Sequence, residues 1–121
     1  MYKRQALGCA QLETIEQRVL SKRVLAEKYK TWFDDHDIKT FTEPLDSRSN
    51  YWLNTIVLDS KAERDEFLAY TNNADIMTRP AWRPMHELSM FANDVQGSLK
   101  VTEKMVSRIV NVPSNIIWSI S

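Results

Sequence analysis

Glycine is nearly missing: Gly8 and Gly97 are the only two in 121 residues, where average usage gives roughly eight. Phosphate-cradling loops need several glycines so that backbone can approach the phosphates closely, which excludes both a P-loop and a dinucleotide-binding fingerprint. Cysteine is scarcer still. The single Cys9 cannot form an internal disulfide, and residues 1–17 hold no apolar run of the kind that opens a secretory signal. A reducing, cytoplasmic setting is the expectation. No apolar stretch is long enough to span a bilayer. Excess charge is absent as well, sixteen basic side chains balancing sixteen acidic ones. Without a net field, neither nucleic acid nor an anionic membrane surface is favoured as a partner.

What is present is the material of a folded domain: 43% apolar residues, with four Trp, four Tyr and four Phe. The length suits one domain rather than a two-domain enzyme. Over residues 6–33, Leu12, Ile15, Val19, Leu25, Tyr29 and Trp32 recur at three- and four-residue steps among charged residues, the pattern of one long amphipathic helix. The run Asp34-Asp35-His36-Asp37 breaks it as a solvated turn. Residues 38–42 are β-prone until Pro44 and read as an edge strand. Residues 50–58 are aromatic and β-branched on both alternating faces, which reads as a central, covered strand. Ser60 and Glu63 have capping-box spacing for a helix to about Tyr70. Residues 75–78 read as a short strand. A long loop follows over residues 79–97, and then a last helix capped by Ser98 and carried by Leu99, Thr102, Val106 and Ile109 up to Pro113. The order α-β-β-α-β-loop-α implies an α+β fold, a small, mainly antiparallel sheet covered by helices.

Chemistry-bearing residues are few. Cys9 lies on an apolar helix stretch and reads as core. His36 and His86 are too far apart in sequence for a short-spaced metal motif, and no nucleophile–base set can be assigned from spacing. The densest candidate is Arg79-Pro80-Ala81-Trp82-Arg83-Pro84-Met85-His86. Guanidiniums grip carboxylate or phosphate bidentately, and proline lowers the entropy cost of holding them in place. A binding loop and an ordinary surface loop both fit, and Trp82 either stacks on a flat ligand or packs on its own domain.

These residues carry a resemblance. Ala6-Leu7-Gly8-Cys9-Ala10-Gln11-Leu12-Glu13, Asn50-Tyr51-Trp52-Leu53-Asn54, Ile76-Met77-Thr78-Arg79-Pro80-Ala81-Trp82 with Met85-His86 and Leu88, and Val110-Asn111-Val112-Pro113-Ser114 resemble, in order, blocks of the carboxy-terminal region of DegT-type nucleotide-sugar aminotransferases. The third block is similar to the branch that makes legionaminic acid and bacillosamine precursors. Asp75 departs from the family's usual glycine, and Ser89 and Phe91 from its proline and tyrosine.

The resemblance implies the small carboxy-terminal domain of a fold type I enzyme, with the interdomain helix at its start. It implies pyridoxal 5′-phosphate bound as a Schiff base by a lysine of a large domain lying upstream of these blocks, and a homodimer. The substrates would be a nucleotide-linked 4-keto-6-deoxy sugar and an amino donor, glutamate in expectation, and the product would feed surface-glycan synthesis. Arg79, Trp82 and His86 are the implied substrate-binding residues. No catalytic residue is assigned, since Lys22, Lys30, Lys61 and Lys104 read as exposed helix positions and match no catalytic motif. Pyridoxal chemistry needs that lysine, so residues 6–121 without the large domain should not complete transamination. Residues 1–5 read as an artefactual leader preceding the first block. Two other readings remain open: a non-catalytic interaction module or remnant of a broken gene, and a small nucleic-acid-binding domain using Arg79, Arg83 and Trp82, against which the balanced charge argues.

Overall fold

In Asn54-Thr55-Ile56-Val57 and Ile109-Val110-Asn111-Val112 the β-branched residues sit at period two, and antiparallel pairing in register Ile56↔Val110 and Asn54↔Val112 puts the even-numbered side chains on one face. In the computed structural model, which describes residues 2–116, these strands form the centre of a four-stranded sheet. The elements run α1 (Tyr2–Glu13), α2 (Ile15–Asp34), β1 (Lys39–Thr40), β2 (Asn54–Val57), α3 (Lys61–Asn73), β3 (Arg79–Pro80), 3-10 turns Met85–Glu87 and Ser89–Phe91, α4 (Lys100–Val106) and β4 (Ile109–Val112). The sheet order is β1-β2-β4-β3, every pair antiparallel. The α+β expectation holds.

Phe33, Ile56, Leu58, Val110 and Val112 form the core, with Tyr29, Ile38, Phe67 and Leu68 packed against it. Ile56 and Val110 are 1% and 0% exposed, and burial of each such side chain contributes about 1.5–3 kcal/mol. Helices α2 and α3 thus cover one face of the sheet. The opposite face, with Thr55, Val57, Ile109 and Asn111, is only half-buried and carries a Thr55-to-Asn111 hydrogen bond of 2.7 Å. Strand β2 is central, as expected, but is fully covered on one side only.

Several expected boundaries move, each for a local reason. The long helix breaks at Thr14 (φ −112°, ψ 5°). Its first part, α1, reaches back to Tyr2 and buries no residue, so Cys9 is exposed rather than core. The strand expected over residues 50–58 is confined to Asn54–Val57, because Tyr51 adopts φ 44° and side chains take the preceding amides: Ser49 Oγ accepts from Tyr51 N–H and Asn50 Oδ1 from Trp52 N–H, both at 3.0 Å. Ser60 does cap α3, its Oγ accepting from Glu63 N–H at 3.1 Å, while the Glu63 carboxylate accepts from Asp59 N–H at 2.9 Å; the helix continues to Asn73. Asp75 completes a turn, residues 76–78 are irregular, and the strand begins one step later at Arg79. Ser98 is not a helix cap, and the last helix stops at Val106. Ile109–Val112 forms an inner strand instead, because helical spacing from Val106 to Ile109 is outweighed by burial of Val110 against Ile56. Asp37, at φ 57°, closes α2 in the anticipated polar turn, where His36 stacks on Trp32 with centroids 4.0 Å apart.

The segment between β1 and β2 is held to α2 by one cluster. Arg23 donates through both terminal nitrogens to Glu43, at 2.6 and 2.9 Å, and through Nη1 to the Ser49 carbonyl at 2.8 Å. Ser49 N–H donates to the same carboxylate at 2.7 Å, and the guanidinium lies 5.5 Å from the Tyr51 ring centroid. The Arg23 hydrogen bond, followed by the Ser49 amide, holds the Glu43 carboxyl down to about 2 from its ordinary 4.5. A depressed carboxyl stabilises the fold fully above its unfolded value and loses that contribution as pH falls. The difference in unfolding free energy between the parent and Glu43→Gln is therefore expected to be constant above about pH 4.5 and to shrink between pH 4.5 and 2. Urea titrations at several pH values check this, and a difference independent of pH would refute the assignment.

Candidate functional site

The α3–β3 turn places the arginine- and tryptophan-bearing loop. Asp75 takes φ 59° at the end of α3, and Ile76 N–H reaches back to the Thr71 carbonyl at 2.9 Å, closing the helix in a left-handed turn. This is the position at which glycine was expected by resemblance; aspartate is among the few residues that tolerate the conformation. Thr71 and Thr78 are both buried, with their hydroxyls 2.6 Å apart. The donors form a directed chain. Asn72 Nδ2 donates to Thr78 Oγ1 (3.0 Å), and Thr71 Oγ1 donates to the Phe67 carbonyl (2.7 Å), leaving the Thr78 hydroxyl to donate to Thr71. Arg79 follows directly, opposite Asn111 on the outer edge of the sheet. Pro80 has no N–H to donate, and an edge strand tolerates that.

Beyond β3, Pro84 starts the 3-10 turn that holds half-buried His86, and Arg83 and Glu87 pair at 3.3 Å on the surface. The exposed Arg79 has its Nη2 3.3 Å from Met77 Sδ. Trp82, 77% exposed, meets Trp52 edge to face, with centroids 6.1 Å apart and an interplanar angle of 64°. Among the described residues, no hydrogen bond, ion pair or ring contact joins Arg79, Trp82 and His86 to one another. The loop thus presents its chemistry outward and is tied to the domain through Trp52.

Trp52 is the site residue that sequence reasoning did not single out. It appeared as a strand residue in the Asn50–Asn54 block, whereas the left-handed Tyr51 and the Asn50 side chain turn it out of the sheet, 62% exposed. It also lines a recess of about 550 Å³ against α1 and α2, with Ile15, Arg18, Val19, Lys22 and Asn50. A non-glycine residue at positive φ stores strain, which surrounding contacts must over-determine. Here the Arg23–Glu43 cluster supplies them.

The structure tests the expectation that four lysines stand at exposed helix positions. Lys30 and Lys61 pair with Asp34 (3.5 Å) and Asp65 (2.7 Å), Lys22 donates to the Ser114 carbonyl at 2.5 Å and is half-buried rather than exposed, and Lys104 stands on an exposed helix face.

The DegT/DnrJ/EryC1/StrS aminotransferase family model matches residues 4–116. GDP-perosamine synthase of Vibrio cholerae is 30% identical over 112 residues, 90% of this chain and 30% of that protein. GDP-perosamine synthase of Escherichia coli O157:H7 is 29% identical over 109 residues, 90% of this chain and 29% of that protein. The crystal structure of the aminotransferase TlmJ from Streptoalloteichus hindustanus superposes with a TM-score of 0.79 at 22% identity, covering 88% of this chain and 29% of that one. The chain therefore spans about 30% of the length of the curated relatives it matches. These relatives do not single out the legionaminic acid and bacillosamine branch.

The turn before Arg79 yields a test. Asp75→Gly is expected to stabilise the chain by on the order of 0.5 kcal/mol through relief of the left-handed conformation, and Asp75→Val to destabilise it by about 1–2 kcal/mol. Chemical denaturation checks both, and equal stability of the two variants would rule out backbone conformation as the constraint.

Proposed function

Because the chain belongs to the DegT/DnrJ/EryC1/StrS aminotransferase family, we propose that it is the small-domain portion of a pyridoxal phosphate-dependent enzyme that transfers an amino group, from glutamate, to a nucleotide-linked 4-keto-6-deoxy sugar. The observation that carries the reading is the Thr78-anchored loop, which exposes Arg79 and Trp82, keeps His86 half-buried on a proline-stiffened frame and docks Trp82 against Trp52. Arg79 and His86 bind the donor carboxylate or the sugar nucleotide, and Trp82 forms an apolar wall.

The cofactor supplies the electron sink for amino transfer. Its lysine and phosphate contacts belong to a large domain outside residues 6–121, and the 121 residues by themselves do not complete the reaction. The working enzyme is a cytoplasmic homodimer. Relatives named for GDP-perosamine weigh toward a GDP-linked sugar; the legionaminic acid and bacillosamine branch rests on the Ile76–Leu88 block alone. Among the described residues no helix is long and apolar enough to cross a membrane.

A chimera tests the reading. With residues 4–116 replacing the matched region of the Vibrio cholerae synthase, amino transfer should persist. Arg79→Ala and His86→Ala should then raise KM for one of the two substrates about tenfold or more, the effect of losing a charge-assisted hydrogen bond. An active chimera whose kinetics neither substitution changes would remove both residues from the site.

A further inference from the structure

From Arg79 to Lys100 no residue is buried, so the segment that carries Arg79, Trp82 and His86 has no anchor of its own in the core. Strand β3 secures only its first two residues. Among the described residues, the hydrogen bonds and the ion pair made by residues 82–98 stay within that segment: the Arg83–Glu87 pair and short turn bonds such as Leu88 N–H to the Met85 carbonyl at 3.0 Å. The edge-to-face contact of Trp82 with Trp52, centroids 6.1 Å apart, is the ring contact that leaves it. Where the loop lies therefore depends on where Trp52 is held.

Trp52 is held by the connection between β1 and β2. Glu43 accepts from Ser49 N–H at 2.7 Å and Arg23 donates to the Ser49 carbonyl at 2.8 Å, so the clamp fixes both backbone polar groups of one residue. Ser49 Oγ in turn accepts from Tyr51 N–H at 3.0 Å, and the Arg23 guanidinium lies over the Tyr51 ring. Tyr51, buried at φ 44°, sets the direction in which Trp52 leaves the chain. A non-glycine residue keeps that conformation only while its surroundings impose it, and here they trace back to one ion pair whose arginine belongs to α2. We propose that the β1–β2 connection is a positioning element for the Arg79–His86 loop: the Arg23–Glu43 clamp fixes the turn at Tyr51, and Trp52, presented by that turn, holds Trp82. Arg23, Glu43 and Trp52 touch no substrate in this scheme and act on it through Trp82. The proposal rests on the binding role given to the loop above and goes beyond it by assigning its placement to residues outside the loop.

Two indoles this close couple their transitions, so the 121-residue chain should show an exciton couplet in far-ultraviolet circular dichroism that both Trp52→Phe and Trp82→Phe remove. Glu43→Gln and Arg23→Gln, neither of which alters an indole, should weaken the same couplet while the helix and sheet signal persists. In the chimera with the Vibrio cholerae synthase, Trp52→Ala and Glu43→Gln should each raise KM for the substrate that Arg79→Ala affects by about two- to tenfold, the equivalent of one aromatic pair, with kcat little changed. Trp52→Phe should restore KM, since phenylalanine keeps an aromatic partner for Trp82. The double variant Glu43→Gln/Trp52→Ala should be no worse than Trp52→Ala alone, because both act through one contact. If Trp52→Ala does not fold, Glu43→Gln and Arg23→Gln still decide through the couplet and KM. An absent couplet in the parent chain, a couplet undiminished in both clamp variants, or KM unmoved by Trp52→Ala where Arg79→Ala raises it would each overturn the proposal. So would a fall in kcat alone, the mark of a merely structural loss. A chimera indifferent to Arg79→Ala and His86→Ala, with the couplet still dependent on Glu43, would remove the binding role of the loop and leave its tie to the clamp standing.

Discussion

Everything in this small fold is arranged around the pairing of β2 with β4. Ile56 and Val110 face each other in register and are almost wholly removed from water, and among the described residues β2 and β4 are the two four-residue strands of the sheet. The outer strands, of two residues each, cannot hold themselves. β1 is seated by α2, and β3 by the hydroxyl chain at Thr78. The positions of both outer segments are thus set by side-chain clusters rather than by sheet hydrogen bonding. This is why the Arg23–Glu43 and Thr71–Thr78 clusters matter out of proportion to their size.

Two non-glycine residues at positive φ connect that core to the candidate site. Tyr51 ends the approach to β2 and turns Trp52 outward; Asp75 ends α3 and sets the path to Arg79. One turn leads into β2 and the other toward β3, strands that both start at the carboxy-terminal end of β4, and the indoles they lead to are in contact. Each turn is locked by polar groups that a two-glycine sequence needs in place of flexible backbone: Ser49, Asn50 and the Arg23 clamp for one, Asn72, Thr71 and Thr78 for the other. Scarcity of glycine and the density of side-chain-to-backbone bonds in these turns are two views of one solution.

How much of this was legible in the sequence follows from whether the signal is local. The helical patterns, the Ser60 cap and the polar end of α2 are written in residues three or four apart; the cap and the polar end appear as read, while the long helix is divided at Thr14 and α3 runs on to Asn73. The class of the fold, α+β with an antiparallel sheet, follows from the order of such elements. Strand β4 was hidden because Val106 and Ile109 continue a helical spacing, and only the distant partner Ile56 decides against it. Cys9 was misplaced for the converse reason: apolar periodicity says which side of a helix seeks cover, not whether this domain supplies it. At the site, Arg79, Trp82 and His86 stood out by composition, whereas Trp52 depends on a backbone sign at Tyr51 that no local motif announces. The Arg23–Glu43 pair, twenty residues apart, carries no sequence signal at all.

The uncovered helix and the candidate site belong to one surface. Helix α1 buries nothing and leaves Leu7 and Leu12 more than 60% exposed, and a helix of twelve residues is marginal in water without tertiary packing. Its last turn, through Gln11, reaches the same recess that Trp52, Arg18 and Lys22 line. An apolar helix face left uncovered by its own domain is the kind of surface that another body of protein covers. The curated relatives it matches are more than three times its length, and α1 finds no cover among the described residues. In the proposed enzyme this face would be packed against other protein, and α1 would be held by that packing rather than by its own propensity.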